Sequence, residues 1–133
     1  MTNQVLRWSR VTIAGSCLQP ELKDQQIVDG LVDFDFEKIE IGSFIVYKEG
    51  GRPKVKKVLG FAGQTWEMRD SHILIGQYVL SLNERQQVRL NGYNETVPDN
   101  CVLVGSNESP DRFIMIVHRD NITHHIPLSE VPT

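Results

Sequence analysis

The sequence predicts a mainly β, single-domain protein, and three observations lead there. Short β-branched and aliphatic runs recur along all 133 residues. Ten glycines and six prolines are spread between those runs and punctuate them as turns. No amphipathic helix longer than three turns declares itself. A chain of this length is expected to form one domain, residues 1–133, and to bury a core without disulfide staples.

The predicted elements follow in order. Val11-Thr12-Ile13 is β-branched and ends at Gly15. Ile27-Val28-Asp29 is a short strand stopped by Gly30. Residues 43–48 contain Phe44-Ile45-Val46-Tyr47, and Glu49-Gly50-Gly51-Arg52-Pro53 follows as a turn. Residues 54–59 alternate lysine with aliphatic residues, which predicts a strand with one wet face. Residues 65–69, 73–75, 79–80 and 102–104 are further short strands, and 113–117 is an apolar run suited to a buried one. Two segments have helical readings. Residues 19–26 form a turn of helix with Pro20 near its start. Residues 81–89 are weakly helical, and their pattern also suits an exposed hairpin.

Composition excludes several classes. Fourteen Lys and Arg against 17 Asp and Glu give a formal charge of -3, which argues against a nucleic-acid surface. Two cysteines, Cys17 and Cys101, make no disulfide framework and fit a reducing compartment. No apolar run approaches the ~20 residues of a membrane span, and residues 1–10 lack the apolar core of a signal peptide. The expected location is cytoplasmic, unless an N-terminal anchor has been removed. Nothing in the sequence fixes an oligomeric state.

Three segments carry the chemistry. The first is Cys17-Leu18-Gln19-Pro20-Glu21-Leu22, a nucleophile-type side chain on a turn bounded by Gly15 and Pro20. The second is Lys56-Lys57-Val58-Leu59-Gly60-Phe61-Ala62-Gly63-Gln64, which puts a lysine at the edge of an apolar strand. The third is Gly105-Ser106-Asn107-Glu108-Ser109-Pro110-Asp111-Arg112. Around them stand Leu90-Asn91-Gly92, Val97-Pro98-Asp99-Asn100-Cys101-Val102-Leu103-Val104 and Val117-His118-Arg119-Asp120-Asn121-Ile122. In this order, across about residues 11–122, they resemble the boxes of the signal-peptidase-I-like family of Ser/Lys endopeptidases.

The resemblance implies a fold, a chemistry and a set of roles. The fold would be a single coiled antiparallel sheet of the kind that signal peptidases and LexA-type repressor proteases share. The substrate would be an extended polypeptide with small apolar residues before the cleaved bond, added to a strand edge. Cys17 would stand at the nucleophile and Lys56 at the general base. Gly15, Ser16 and Pro20 would belong to the oxyanion and substrate-binding side. Ser109, Asp111 and Arg112 would orient the lysine. No cofactor and no metal is implied.

The physics of such a pair is definite. A lysine that acts as a base must be neutral, and burial is the usual way to lower its pKa from ~10.4. Strand alternation lets one lysine of a pair point inward while the next faces water, so an inward Lys56 puts Lys54 on its face and Lys57 outward. The sequence departs from the family at the nucleophile, where cysteine replaces serine. It departs again at Gln25-Gln26, Gly42-Ser43, Gln64 and Gly105-Ser106, where the family has Asp. A thiol with pKa near ~8.5 can pair with lysine as thiolate and ammonium. That makes an active Cys/Lys protease or, in a pocket shaped for an alkoxide, an inert one. The second function is therefore peptide binding without cleavage; a self-cleaving regulatory domain is a third.

Each residue also has a plainer reading. Cys17 alone is a small buried hydrophobe, and Lys54, Lys56 and Lys57 alone are a solvated strand face. Ser109, Asp111 and Arg112 alone make a turn and an ion pair. His124-His125 suggests a metal, but neighbours on a strand face opposite ways and no third ligand is spaced to join them.

Overall fold

A computed structural model describes residues 6–15, 18–106 and 114–132. Ten strands and one α-helix are found among them, in two separate antiparallel sheets. The large sheet has the order β1-β2-β10-β3-β4-β8-β9, and the small one is the meander β5-β6-β7. The fold is mainly β, as predicted, but the expected single coiled sheet is not what forms: neither sheet is closed or strongly curled.

Two tight hairpins explain the separation. β5 (Glu67–Arg69), β6 (His72–Ile75) and β7 (Tyr78–Ser81) pair only with one another. Asp70-Ser71 and Gly76-Gln77 close them as two-residue loops, flanked by the cross-strand pairs Arg69 with His72 and Ile75 with Tyr78. Alternation then puts Ile73, Ile75 and Leu80 on one buried face, clustered with Leu59, Leu103 and Ile114 of the large sheet. The meander is thus a second layer on that sheet.

Gly60 shows how tightly the layers meet. A Cβ there would lie 2.5 Å from Ile75 Cδ1 and 3.4 Å from Leu103 Cβ. The β4 to β8 register shifts between Val58 and Gly60, so a bulge bends β4 where the small sheet rests on it.

In the large sheet, β1 (Trp8–Thr12) pairs with β2 (Ile27–Leu31). β2 runs through Gly30, the expected stop. A Cβ there would lie 3.1 Å from both His124 Cβ and Val11 Cγ2, so this glycine marks a close approach. β3 (Phe44–Glu49) and β4 (Arg52–Phe61) form a hairpin whose loop is only Gly50-Gly51. Both glycines have positive φ, 58° and 77°, as a type I′ turn needs. The expected five-residue turn is therefore shorter, and Arg52 and Pro53 belong to β4.

β8 (Cys101–Gly105) and β9 (Ile114–His118) complete one side of the sheet. β10 (Ile122–Ile126) lies between β2 and β3. Its polar centre, Thr123-His124-His125, hides it from a reading by apolar pattern. The helix α1 (Glu84–Leu90) occupies the 81–89 segment and starts with a capping box between Asn83 and Gln86.

Residues 18–26 form turns rather than a helix, with an α-type bond from Leu22 N–H to Leu18 C=O and a tighter one from Gln26 N–H to Lys23 C=O. Gln25 turns the chain back with φ of 67°, and the Gln26 side chain takes the Lys23 N–H at 2.8 Å. Among the described residues no helix is long and apolar enough to cross a membrane.

Candidate functional site

The segment after β1 returns on itself and is closed at its base. Ile13 N–H donates to Gln26 C=O at 2.8 Å, and Gln25 N–H donates to Ile13 C=O at 2.7 Å. Leu18 and Leu22 are fully buried with Val28, Phe44, Val46 and Ile126, and Val55 of β4 packs against this cluster. A half-buried ion pair adds to the attachment: Lys57 Nζ donates to Glu21 Oε2 at 2.7 Å. On the other side of β4, Gly105 stands across from Lys57 in the ladder. The described parts of all three sequence boxes thus meet around Lys57.

Lys57 does not point into water as strand alternation suggested. It is held between Glu21 and the ring of Tyr78, 5.7 Å from the ring centroid. The adjacent Lys56, half-buried, lines a groove of about 420 Å³. Lys54 lines the same groove, as expected for a residue two away on one strand.

The groove has a specific construction. Five consecutive residues, 10–14, and four consecutive residues, 53–56, line it. Side chains alternate across a strand, so one face would contribute every second residue; a consecutive run means that strand edges line the groove. Both edges lack a neighbouring strand among the described residues. β1 has β2 on one side only, and β4 meets β8 only from Lys57 onward.

The ladders show which backbone groups these edges present. Val58 N–H bonds to Ser43 C=O on the β3 side, so two-residue alternation points Val55 N–H and C=O away from β3. Pro53 falls on the same outward parity, where a missing N–H costs no ladder bond. On β1, Ile13 bonds toward β2, so Arg10, Thr12 and Ala14 turn their backbone groups outward. Leu18 and His124 also line the groove.

The expected site residues are distributed unevenly. Ser16, Cys17, Ser109, Asp111 and Arg112 lie outside the described residues. Gly15 is described, but its N–H donates to Asp24 Oδ1 at 2.7 Å and is not offered to a substrate oxygen. That bond, then the Gln25 side-chain amide, holds the Asp24 carboxyl below the usual range. Pro20 lines a separate hollow with Lys23 and Pro132, away from the groove.

The sequence reading missed His124 in the groove and the buried partner of His125. Ser43 is fully buried; its hydroxyl donates to Glu40 C=O at 2.6 Å, so it accepts from His125 Nε2–H at 2.9 Å. That hydroxyl fixes a histidine in the sheet. Burial pushes both His124 and His125 below the ordinary histidine range; Glu40 partly offsets the shift at His125.

Cys101 is a buried thiol, pushed up by burial and then by Asp99. Among the described residues no group of three or more His, Cys, Asp and Glu is placed to hold a metal ion. A larger hollow, about 550 Å³, lies at Trp66, Met68 and α1 and contains none of the expected site residues. No family model matches the chain, and no curated protein matches it.

Proposed function

We propose that the chain is an endopeptidase of the signal-peptidase-like type, with Cys17 as nucleophile and Lys56 as its proton partner. Its substrate is an extended polypeptide laid in the groove. The observation that carries this reading is the groove itself: two half-paired strand edges line it, together with Lys56 and Leu18. Cys17 is joined to Leu18 by one peptide bond. Outward groups at Val55 on one edge and at Arg10, Thr12 and Ala14 on the other suit main-chain bonding to an added strand.

The chemistry balances without a cofactor. The Cys17 thiol proton passes to Lys56 Nζ, and the thiolate attacks the substrate carbonyl carbon. The C–N bond then breaks, and the Lys56 ammonium protonates the leaving amine. Water hydrolyses the thioester, with Lys56 taking the water proton and the Cys17 sulfur leaving. Small apolar residues before the cleaved bond are the preference that the likeness of the boxes implies.

Peptide binding without cleavage is favoured by one observation: the Gly15 N–H, next to the nucleophile loop, is already engaged by Asp24. Incubating wild type, Lys56→Ala and Cys17→Ser with a peptide library decides between the two. Cleavage that Lys56→Ala abolishes supports the endopeptidase. Absence of Lys56-dependent cleavage in both wild type and Cys17→Ser removes it, and peptide retention by the same proteins then identifies the binding module.

A further inference from the structure

The groove carries a charge that the chain as a whole does not. Acidic residues outnumber basic ones, 17 to 14. Yet Arg10, Lys54 and Lys56 line the groove with no carboxylate among its lining residues. A hollow that shares Lys54 and Lys56 with it adds Arg52 and a single acid, Glu49. Glu49 stands across from Arg52 in the hairpin, and Asp29 stands across from Arg10 on β2. Neither couple closes to an ion pair, and among the described residues Arg10, Arg52 and Lys54 make none.

The contrast with Lys57 is informative. That lysine, on the other face of β4, has its carboxylate supplied from within the chain by Glu21. Arg52 and Lys54 lie on the exposed first half of β4, where a substrate strand would run. Several cations along a low-dielectric cleft attract an anionic ligand and repel a cationic one.

We infer that the groove selects extended peptides bearing acidic side chains on one side of the bond presented to Lys56. The inference rests on the extended-peptide reading and adds the substrate class. Its register follows from strand geometry. Lys54 and Arg52 are two and four residues before Lys56, which is about 7 and 14 Å along the strand. The acidic residues therefore fall about two to four positions from the bond. They fall on one side, because Lys57, beyond Lys56, is already paired.

Binding of three labelled peptides to the full chain carrying Cys17→Ala tests this. The peptides share a small apolar centre and differ only at the flanking positions, which hold Asp, Ala or Lys. At low salt the Asp peptide should bind roughly tenfold tighter than the Ala peptide, from two exposed ion pairs of a few-fold each, and the Lys peptide weakest. At about 0.5 M salt the spread should shrink to about twofold or less, because screening shortens the reach of exposed charges.

Adding Arg52→Gln and Lys54→Gln should erase the Asp preference, so that this variant binds the Asp and Ala peptides alike. Equal binding of the Asp and Ala peptides overturns the acidic preference while leaving the extended-peptide reading intact. A preference that survives in the double variant also overturns it. Binding of none of the three overturns the groove reading and this inference with it.

Discussion

Glu21 and Lys57 join the turns of residues 18–26 to β4, and a double-mutant cycle measures how firmly. Their N···O distance is 2.7 Å, with 17% of the Lys57 side chain and 29% of the Glu21 side chain exposed. At an effective dielectric of 20, that separation corresponds to about 6 kcal/mol of Coulomb attraction before desolvation. Exposed pairs retain about 0.2–1 kcal/mol of such attraction, whereas breaking a fully buried pair costs about 3–5 kcal/mol. This half-buried pair should fall between, with a coupling of about 1–2 kcal/mol.

The variants are Glu21→Gln, Lys57→Met and the two together, each followed by urea unfolding. Lys57→Met also loses its contact with the Tyr78 ring, about 0.5–1 kcal/mol, so it should be the more damaging single change. The cycle cancels that term, because it appears in both arms that carry Lys57→Met. A coupling within about 0.3 kcal/mol of zero would refute the idea that this pair fastens the loop to β4.

Two further outcomes follow from the packing and the histidines. Gly60→Ala should cost about 1–3 kcal/mol through overpacking against Ile75. Adding Ile75→Val, which deletes the offending Cδ1, should recover part of that loss although Ile75→Val alone destabilises; strictly additive urea midpoints would contradict the close approach. His125 is depressed below 6.5 in the folded chain by burial, so the unfolded chain binds the proton more readily. Its contribution is therefore complete above pH 6.5 and declines as pH falls below that value toward the folded pKa. His124 shifts the same way, so His125→Gln should reduce the pH slope of the urea midpoint in that window and the double replacement should reduce it further. A slope unchanged by either replacement would contradict the burial account.

Much of the strand content was legible because alternation and turn residues signal it locally. Residues 44–48 of the expected 43–48 run, and all of 54–59 and 102–104, fall within strands, and Gly50-Gly51 turns between two of them. What local pattern cannot show is which strands share a sheet. The large sheet pairs β10 with β2 and β3, across some 75 to 94 residues, and nothing in Ile122-Thr123-His124-His125-Ile126 announces a central strand. Its burial becomes intelligible only with Ser43, whose hydroxyl accepts from His125. Glycine misled in the other direction. Gly30 reads as a stop, yet it lies inside β2, where Val11 and His124 come within 3.1 Å of the place a Cβ would take.

The candidate site was legible in its parts. Lys56 and Lys54 share a groove, as the strand period requires. The outward direction assigned to Lys57 failed because Glu21, distant in sequence, supplies a partner on that face. Likewise, the Gly15 backbone could not be recognised as occupied until Asp24 was seen to return against it.

The pairing of Cys17 with Lys56 is tested most directly by thiol alkylation at neutral pH, in wild type and in Lys56→Ala, with Cys101 as internal reference. A nearby cation that lowers a thiol's pKa by one unit raises its thiolate fraction about tenfold. Cys101, buried and pushed up, should react slowly in both proteins. The pairing predicts that Cys17 is alkylated much faster than Cys101 in wild type, and that Lys56→Ala slows Cys17 about tenfold while leaving Cys101 unchanged. Equal Cys17 rates in the two proteins would contradict it.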